Sequence, residues 1–325
     1  MDFIQLKQNI KNKFYPVLLV DGKDDYLLAL SIKSIKDGYV EELQDLNYFD
    51  YDFNESVNFS LVFNAIETIP AMSDKKVIVL RNLRPKNRGC GISVEDLRRL
   101  VKYTEKPNNY VCLVIVRPQV KDLHYSEKVN CDYLDSKNLS KWVANYVNDN
   151  NRKIEQKNID LLLDYSGRDM MKISKEIKKL CDYTPKYEAI TKESIEKIVE
   201  KSLEYTIFDI ANKLAECKKK EVLDLLNEIL SNQTYEEAAI LGTLFSTFRR
   251  MMHVSLSKET DEELARLFSV QTFAITRARN LAKKFTQIKL KKCIDILVEA
   301  DINMKQNQIN RREVLNNAVL SLLNV

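Results

Sequence analysis

The sequence is poorest in the residues on which small-molecule chemistry most often depends. It holds two histidines, His124 and His253, far apart along the chain. One lies in a loop pattern beside Asp122 and Tyr125, and the other follows residues 249–252 in a helical pattern. A Ser-His-Asp or Cys-His centre would need one of them, and both read as structural or surface residues. Glycine occurs only at 22, 38, 89, 91, 167 and 242. A phosphate-cradling loop ends in Gly-Lys-Ser/Thr, but Gly22-Lys23 is followed by Asp24, and there is no G-x-G-x-x-G. The six cysteines (90, 112, 131, 181, 217, 293) stand singly without a C-x-x-C pair, so neither a zinc site nor a disulfide framework is implied. No apolar run approaches the roughly 20 residues of a membrane span. The opening Met-Asp-Phe-Ile-Gln-Leu-Lys lacks the basic-then-apolar layout of an export signal. The expected setting is a reducing cytoplasm, with no catalytic residue, cofactor or metal.

What the chain does have is core and charge. It is 325 residues long, 45% hydrophobic and 30% charged, which predicts a soluble globular protein of two or three domains. The net charge of +4 permits nucleic-acid or acidic partners without demanding them.

Strand and helix signals alternate over the first 135 residues. A helical pattern covers 1–15. Pro16-Val-Leu-Leu-Val20 is a buried-type strand, and Asp24-Asp25 open a helix with Tyr26, Leu27, Leu30, Ile32 and Ile35 inward. Aromatic content marks Tyr48-Phe-Asp-Tyr-Asp52 as a strand. A helix is expected over 57–68 and a strand over 76–81. Ser93-Val-Glu-Asp96 fits a helix start. Tyr110-Val-Cys-Leu-Val-Ile-Val116 is the strongest strand, and a weaker one is expected over 129–133. Such alternation predicts a mostly parallel sheet covered on both faces. Beyond 135 the strand signal stops. Helices are expected from Leu139, over about 155–165, 169–183 and 191–201, and then to the end. From 186 on there is one glycine and no proline, as suits purely helical sequence. Thr234-Tyr-Glu-Glu237 and Thr260-Asp-Glu-Glu263 have the pattern of capping boxes. Two closing helices bracket the polar stretch 305–312.

The stretch Thr68-Ile-Pro-Ala-Met-Ser-Asp-Lys-Lys-Val-Ile-Val-Leu80 organises the α/β part. Phe59, Val62, Phe63 and Ile66 give a helix one apolar face, and Pro70 stops it. Ile69, Ala71 and Met72 then stand between helix and strand, followed by the polar residues 73–76. Two readings are open. The apolar residues form a small exposed knob with a polar collar, or Met72 folds back as a cap on the strand. Charge runs elsewhere read as solvated faces. The loop with Arg81, Arg84, Lys86 and Arg88 is less balanced by acids and is kept as a candidate for phosphate or DNA contact.

Several stretches, in order, make the chain resemble the delta subunit of bacterial DNA polymerase III. They are Val17-Leu-Leu-Val-Asp-Gly-Lys-Asp-Asp-Tyr-Leu27, Ala65-Ile-Glu-Thr-Ile-Pro-Ala-Met-Ser-Asp-Lys-Lys-Val-Ile-Val79, Leu139-Ser-Lys-Trp142, Ile173-Ser-Lys-Glu-Ile-Lys-Lys-Leu180, Ile207-Phe-Asp-Ile210 and Glu299-Ala-Asp-Ile-Asn-Met-Lys305. The resemblance implies an AAA+-like parallel-sheet α/β domain without a phosphate loop (1–138), a small helical lid domain (139–204) and an all-α helical collar domain (205–325) that mediates assembly. It implies a non-catalytic subunit of the clamp loader, which binds the sliding clamp (beta subunit) and opens its ring for loading onto primed DNA. The implied partners are the tau/gamma ATPase subunits and delta-prime in a hetero-pentamer, with primer-template DNA, in the bacterial cytoplasm. The clamp-binding wedge falls on Ile69, Ala71 and Met72, where the family often carries two large, frequently aromatic side chains instead of Ala71 and Met72. An active AAA+-type nucleotide hydrolase and a helical interaction scaffold without a replication role are the alternatives.

Overall fold

The computed structural model describes all residues except 41, 88, 232, 233 and 307–309. It contains two compact units, Met1–Ser136 and Lys137–Val325.

The first unit runs α1 (Phe3–Asn9), β1 (Val17–Asp21), α2 (Asp25–Tyr39), α3 (Gln44–Asn47), β2 (Tyr48–Asp52), α4 (Phe59–Glu67), β3 (Lys76–Arg81), α5 (Val94–Glu105), β4 (Val111–Val116) and β5 (Glu127–Asn130). The strands form a five-stranded sheet in the order β2-β3-β4-β1-β5, parallel throughout. The register pairs Tyr48 with Val77, Val77 with Cys112, and Val17 with Leu113. Residues 77–80 and 111–116 are buried on both faces, which is why they read as unbroken apolar runs. On one face Val17, Ile78, Leu80, Leu113 and Ile115 pack with Phe59, Phe63 and Ile66 of α4 and Leu100 of α5. α1 and α2 lie together against β1, β3 and β5. Each such fully buried aliphatic side chain contributes about 1.5–3 kcal/mol relative to exposure.

Helix starts follow the capping chemistry of the sequence. Asp24 accepts from the N–H groups of Tyr26 and Leu27, Asn58 from Ser60, and Ser93 from Asp96. The helix expected over 57–68 therefore spans 59–67, after its Asn58 cap. In α2 the inward set is Leu27, Leu28, Ile32 and Ile35, with Leu30 only half-buried. The last strand lies at 127–130 rather than 129–133, because it pairs with β1 through Leu18–Glu127 to Asp21–Asn130. α3 was not anticipated.

The second unit holds α6 (Ser136–Asp149), β6 (Lys153–Ile154), α7 (Gln156–Tyr165), α8 (Met170–Tyr183), β7 (Ala189–Ile190), α9 (Lys192–Ile198), α10 (Leu203–Ala215), α11 (Lys219–Ser231), α12 (Glu237–Leu256), α13 (Asp261–Phe268), α14 (Thr272–Ala282), α15 (Gln287–Gln306) and α16 (Arg311–Leu322). The parallel two-residue pair β6–β7 departs from a purely helical reading beyond 186. α9 ends at Ile198, short of 201. The Thr260 capping box forms. The one expected at Thr234 does not, because α12 begins at Glu237 with Glu236 as its N-cap. Segments 139–204 and 205–325 meet directly. The Arg168 guanidinium stacks 3.6 Å from the Phe273 ring, Gln271 donates to the Arg168 carbonyl, and Tyr165 packs on Tyr205 at 4.8 Å. Burial pushes the Arg277 guanidinium below its ordinary value and the Asp164 carboxyl above its own.

Gly22 ends β1 with φ 151°, and a Cβ there would lie 2.1 Å from the Cys131 carbonyl carbon. Gly22→Ala is therefore expected to destabilise the first unit by about 3 kcal/mol, read as a lower urea midpoint. A loss below about 1 kcal/mol would show that the β1 and β5 ends separate freely.

Candidate functional site

The site begins with the last carbonyls of α4. A helix leaves its final four C=O groups without intrahelical partners, and Pro70 has no N–H to offer. Here Asn64 O accepts from the Thr68 N–H and hydroxyl. Ala65 O accepts from Lys76 Nζ at 3.0 Å, Ile66 O from Asn108 Nδ2 at 3.3 Å, and Glu67 O from the Tyr110 hydroxyl at a long 3.5 Å. These donors come from β3 and from the approach to β4. The helix end is thus closed by side chains from neighbouring strands, and the chain beyond it turns outward.

Residues 69–72 form that outward turn. Ile69 is 74% exposed and Met72 is 81% exposed, while Ala71 is half-buried. Met72 therefore does not fold back on β3, and the cap reading is excluded. Its backbone is left-handed, φ 49°, a conformation that costs about 1–2 kcal/mol for a bulky residue. The Ala71 N–H donates to Asn47 Oδ1 at 2.9 Å, and the Ala71 carbonyl accepts from Asn47 Nδ2 at 2.8 Å. The knob is therefore a tethered loop.

The polar collar differs from expectation at one residue. Lys76 is buried, with 1% exposure. Its ammonium sits at the C-terminus of α4, where the helix dipole favours a cation, and 5.7 Å from the Phe49 ring. Burial pulls its pKa below the ordinary 10.5. Ser73 donates to the Lys75 carbonyl. Lys75 reaches the Asn109 carbonyl at 2.7 Å and stacks over Phe14. Asp74 is exposed.

The basic loop is divided. Arg81 holds both carboxylate oxygens of Asp50 at 2.8 Å, so its guanidinium is committed within the fold. Arg84 is half-buried and Lys86 exposed, on a loop closed by Ile92 N–H to Arg84 O and Lys86 N–H to Ile92 O. Arg88 lies outside the described residues. None of the four is part of the turn at 69–72.

The ends of β1 and β4 show what became of the place where α/β sheets take ligands. Such crevices open beyond the carboxyl ends of strands, at the point where strand order reverses. Here Arg117 Nε donates to the Gly22 carbonyl at 2.8 Å and Nη1 to Asp25 at 2.6 Å, and Asp24 N–H donates to Cys131 O. The first N–H groups of α2 are taken by the Asp24 carboxylate. An anionic phosphate would meet carboxylates there. The turn at 69–72 lies at the opposite edge, before the amino ends of β2 and β3.

A model of the DNA polymerase III delta subunit matches residues 18–150, and one of its C-terminal domain matches residues 204–322. The chain belongs to the DNA polymerase III delta subunit family. It is 26% identical to DNA polymerase III subunit delta of Bacillus subtilis over 96% of this chain and 94% of that one. Its fold is that of a Bacillus subtilis DNA clamp loader delta protein, with a TM-score of 0.76 at 22% identity over 99% of this chain and all of the other. Family membership accounts for a parallel-sheet unit followed by helices. It also places the chain among components of the replicative polymerase.

Sequence reasoning missed Asn47, Leu43 and Leu46. Leu43 and Leu46 are exposed, and Leu43 is left-handed at φ 46°. No local pattern could reveal that Asn47 bonds a backbone 24 residues away. Its position just before an aromatic strand was the available hint.

A depressed lysine pKa fixes the sign of a pH effect. Between its folded-state pKa and 10.5, the unfolded chain binds more protons at Lys76 than the folded one, so stability rises with pH in that window. Against Lys76→Met, the native chain should gain stability as pH climbs toward 10.5, measured by urea unfolding at stepped pH. Parallel profiles for the two proteins would contradict a desolvated ammonium.

Proposed function

We propose that this chain is the non-catalytic clamp-loader subunit that binds the sliding clamp and stabilises its opened ring for loading onto primed DNA. One observation carries the reading. Two large apolar side chains, Ile69 and Met72, are largely exposed on a loop that two hydrogen bonds from Asn47 tether at Ala71. Flexible, polarizable methionine suits an apolar pocket on a partner. Ala71 is half-buried and has its backbone engaged, so it contributes less than its neighbours.

The mechanism follows from linkage. A protein that inserts an apolar plug shifts a closed-to-open equilibrium only by its differential affinity for the two states. The plug opens the ring by fitting the open form better. This chain contributes binding. The carboxylates at the start of α2 and the bridge from Arg117 to Gly22 and Asp25 favour this over an AAA+-type hydrolase. ATP binding by the tau/gamma subunits controls when the plug is presented, in a cytoplasmic complex that also holds delta-prime and primer-template DNA. Among the described residues, Arg84 and Lys86 are the members of the basic loop still offered for phosphate contact. Within the second unit, residues 139–204 serve as the lid and 205–325 as the collar. Ile288, Val298 and Ile302 are exposed on α15 and share one face at helical spacing, which supports a subunit contact there.

Clamp affinity and melting temperature should be measured together for Ile69→Ser, Ala71→Ser and Met72→Asp. Pocket-filling anchors cost about 2 kcal/mol or more when removed, and a carboxylate in an apolar pocket costs more than truncation. Met72→Asp should lose binding most and Ala71→Ser least, with melting temperatures kept because these side chains contact little. Unchanged clamp binding in Met72→Asp would sink the reading. For the collar, the double variant Val298→Glu, Ile302→Glu should stay folded and fail to co-elute with the ATPase subunits; normal co-elution would remove that surface from the interface.

A further inference from the structure

We infer that Asn47 is the positioning residue of the plug, and that it joins the loop 69–72 to α3 so that Leu43 and Leu46 share one docking face with Ile69 and Met72. This rests on the clamp-binding reading above.

The carboxamide of Asn47 is wholly buried, and both its N–H groups and its oxygen are hydrogen-bonded. Oδ1 accepts from Ala71 N–H at 2.9 Å, while Nδ2 donates to the Ala71 carbonyl at 2.8 Å and to the Glu42 carbonyl at 3.2 Å. Asparagine alone supplies an acceptor and two donors at this reach. Aspartate would set a carboxylate against two carbonyls, and glutamine is one methylene too long. The bonds to Ala71 grip the residue between Pro70, which has no N–H, and Met72. The Asn47 N–H in turn donates to the Leu43 carbonyl at 3.1 Å.

Two bulky residues near this carboxamide, Leu43 and Met72, take the left-handed backbone that L side chains rarely adopt. Such conformations persist only where the surroundings over-determine them, and Asn47 is bonded within one residue of each. Both side chains are exposed, as are Leu46 and Ile69. The hydrogen bonds make the two segments one body, so an apolar pocket on the clamp that receives Met72 also meets α3. The exposed residues near these apolar residues in sequence include Glu42, Asp45 and Asp74, so a basic margin on the clamp pocket would complement them.

The test uses the full-length chain and purified sliding clamp, with affinity and thermal unfolding recorded for Met72→Asp, Leu46→Asp, Asn47→Asp and Asn47→Ala, the last also in a Met72→Ala background. Leu46→Asp should bind about tenfold more weakly with its melting temperature kept. Asn47→Asp should bind about tenfold more weakly near pH 8 and recover relative to the parent chain as the pH is lowered, because burial against two carbonyls raises the carboxyl's pKa and the protonated form again donates to a carbonyl. The loss from Asn47→Ala should be smaller in the Met72→Ala background, as coupled residues are non-additive. If Met72→Asp abolishes binding while Leu46→Asp and Asn47→Asp stay within about twofold of the parent, the inference falls and the clamp reading stands. If Asn47→Ala weakens binding equally in both backgrounds, Asn47 is structural only and the inference also falls. If Met72→Asp binds normally, the clamp reading falls, and the inference with it.

Discussion

The end of α4 presents carbonyls that the following chain cannot satisfy. Pro70 removes the N–H that would have continued the ladder to Ile66, and the carbonyls of Ala65, Ile66 and Glu67 turn instead to Lys76, Asn108 and Tyr110. Buried polar groups left unpaired would cost about 1–3 kcal/mol each, so the sheet has to lend donors. Lys76 does so at the expense of burying an ammonium. Its cost is offset by the hydrogen bond, the helix dipole and the Phe49 ring. Once those carbonyls are closed, the backbone beyond has no ladder to join and leaves the fold at Ile69.

Leaving the fold does not mean moving freely. The Ala71 backbone returns to Asn47, and the chain then enters β3, one of the two most deeply buried strands. The outward segment is therefore four residues anchored at both ends. That geometry suits a binding element, because a preorganised loop loses less conformational entropy on docking than a floppy one. The same parallel sheet separates two edges with different fates. At the carboxyl edge the place of a phosphate loop is filled by Asp24, Gly22 and Arg117. At the amino edge the loops before β2 and β3 lie side by side, because those strands are paired in register.

The second unit is organised by another mixture of burial and charge. Arg168 and Arg277 lie over aromatic rings of α10 and α14, where a desolvated guanidinium gains more from a ring face than it would in water. The Arg168–Phe273 contact ties residues 139–204 to 205–325 within one compact body. Helical periodicity alone shows that each segment hides an apolar face and says nothing about which segments share a core.

Much of this was legible in the residues themselves. The parallel-sheet class, the helix starts at Asp24, Ser93 and Thr260, the stop at Pro70 and the absence of a phosphate loop all follow from local chemistry, because caps, turns and periodicity act within a few residues. The family resemblance rested on such local stretches, in order. The failures came where a distant partner decided. Thr234 has a capping pattern that α12 does not use, β5 slides to the register β1 offers, and Lys76 looks like collar until its contact with Ala65 places it in the core. The knob itself was located by sequence, but whether Met72 pointed outward was not. That depended on donors from β3 and the approach to β4, and on one asparagine 24 residues upstream. The sequence determined where the helix must end and which apolar residues follow it. Only the tertiary structure decided that they face solvent, because the hydrogen bonds that hold them there join segments that are distant along the chain.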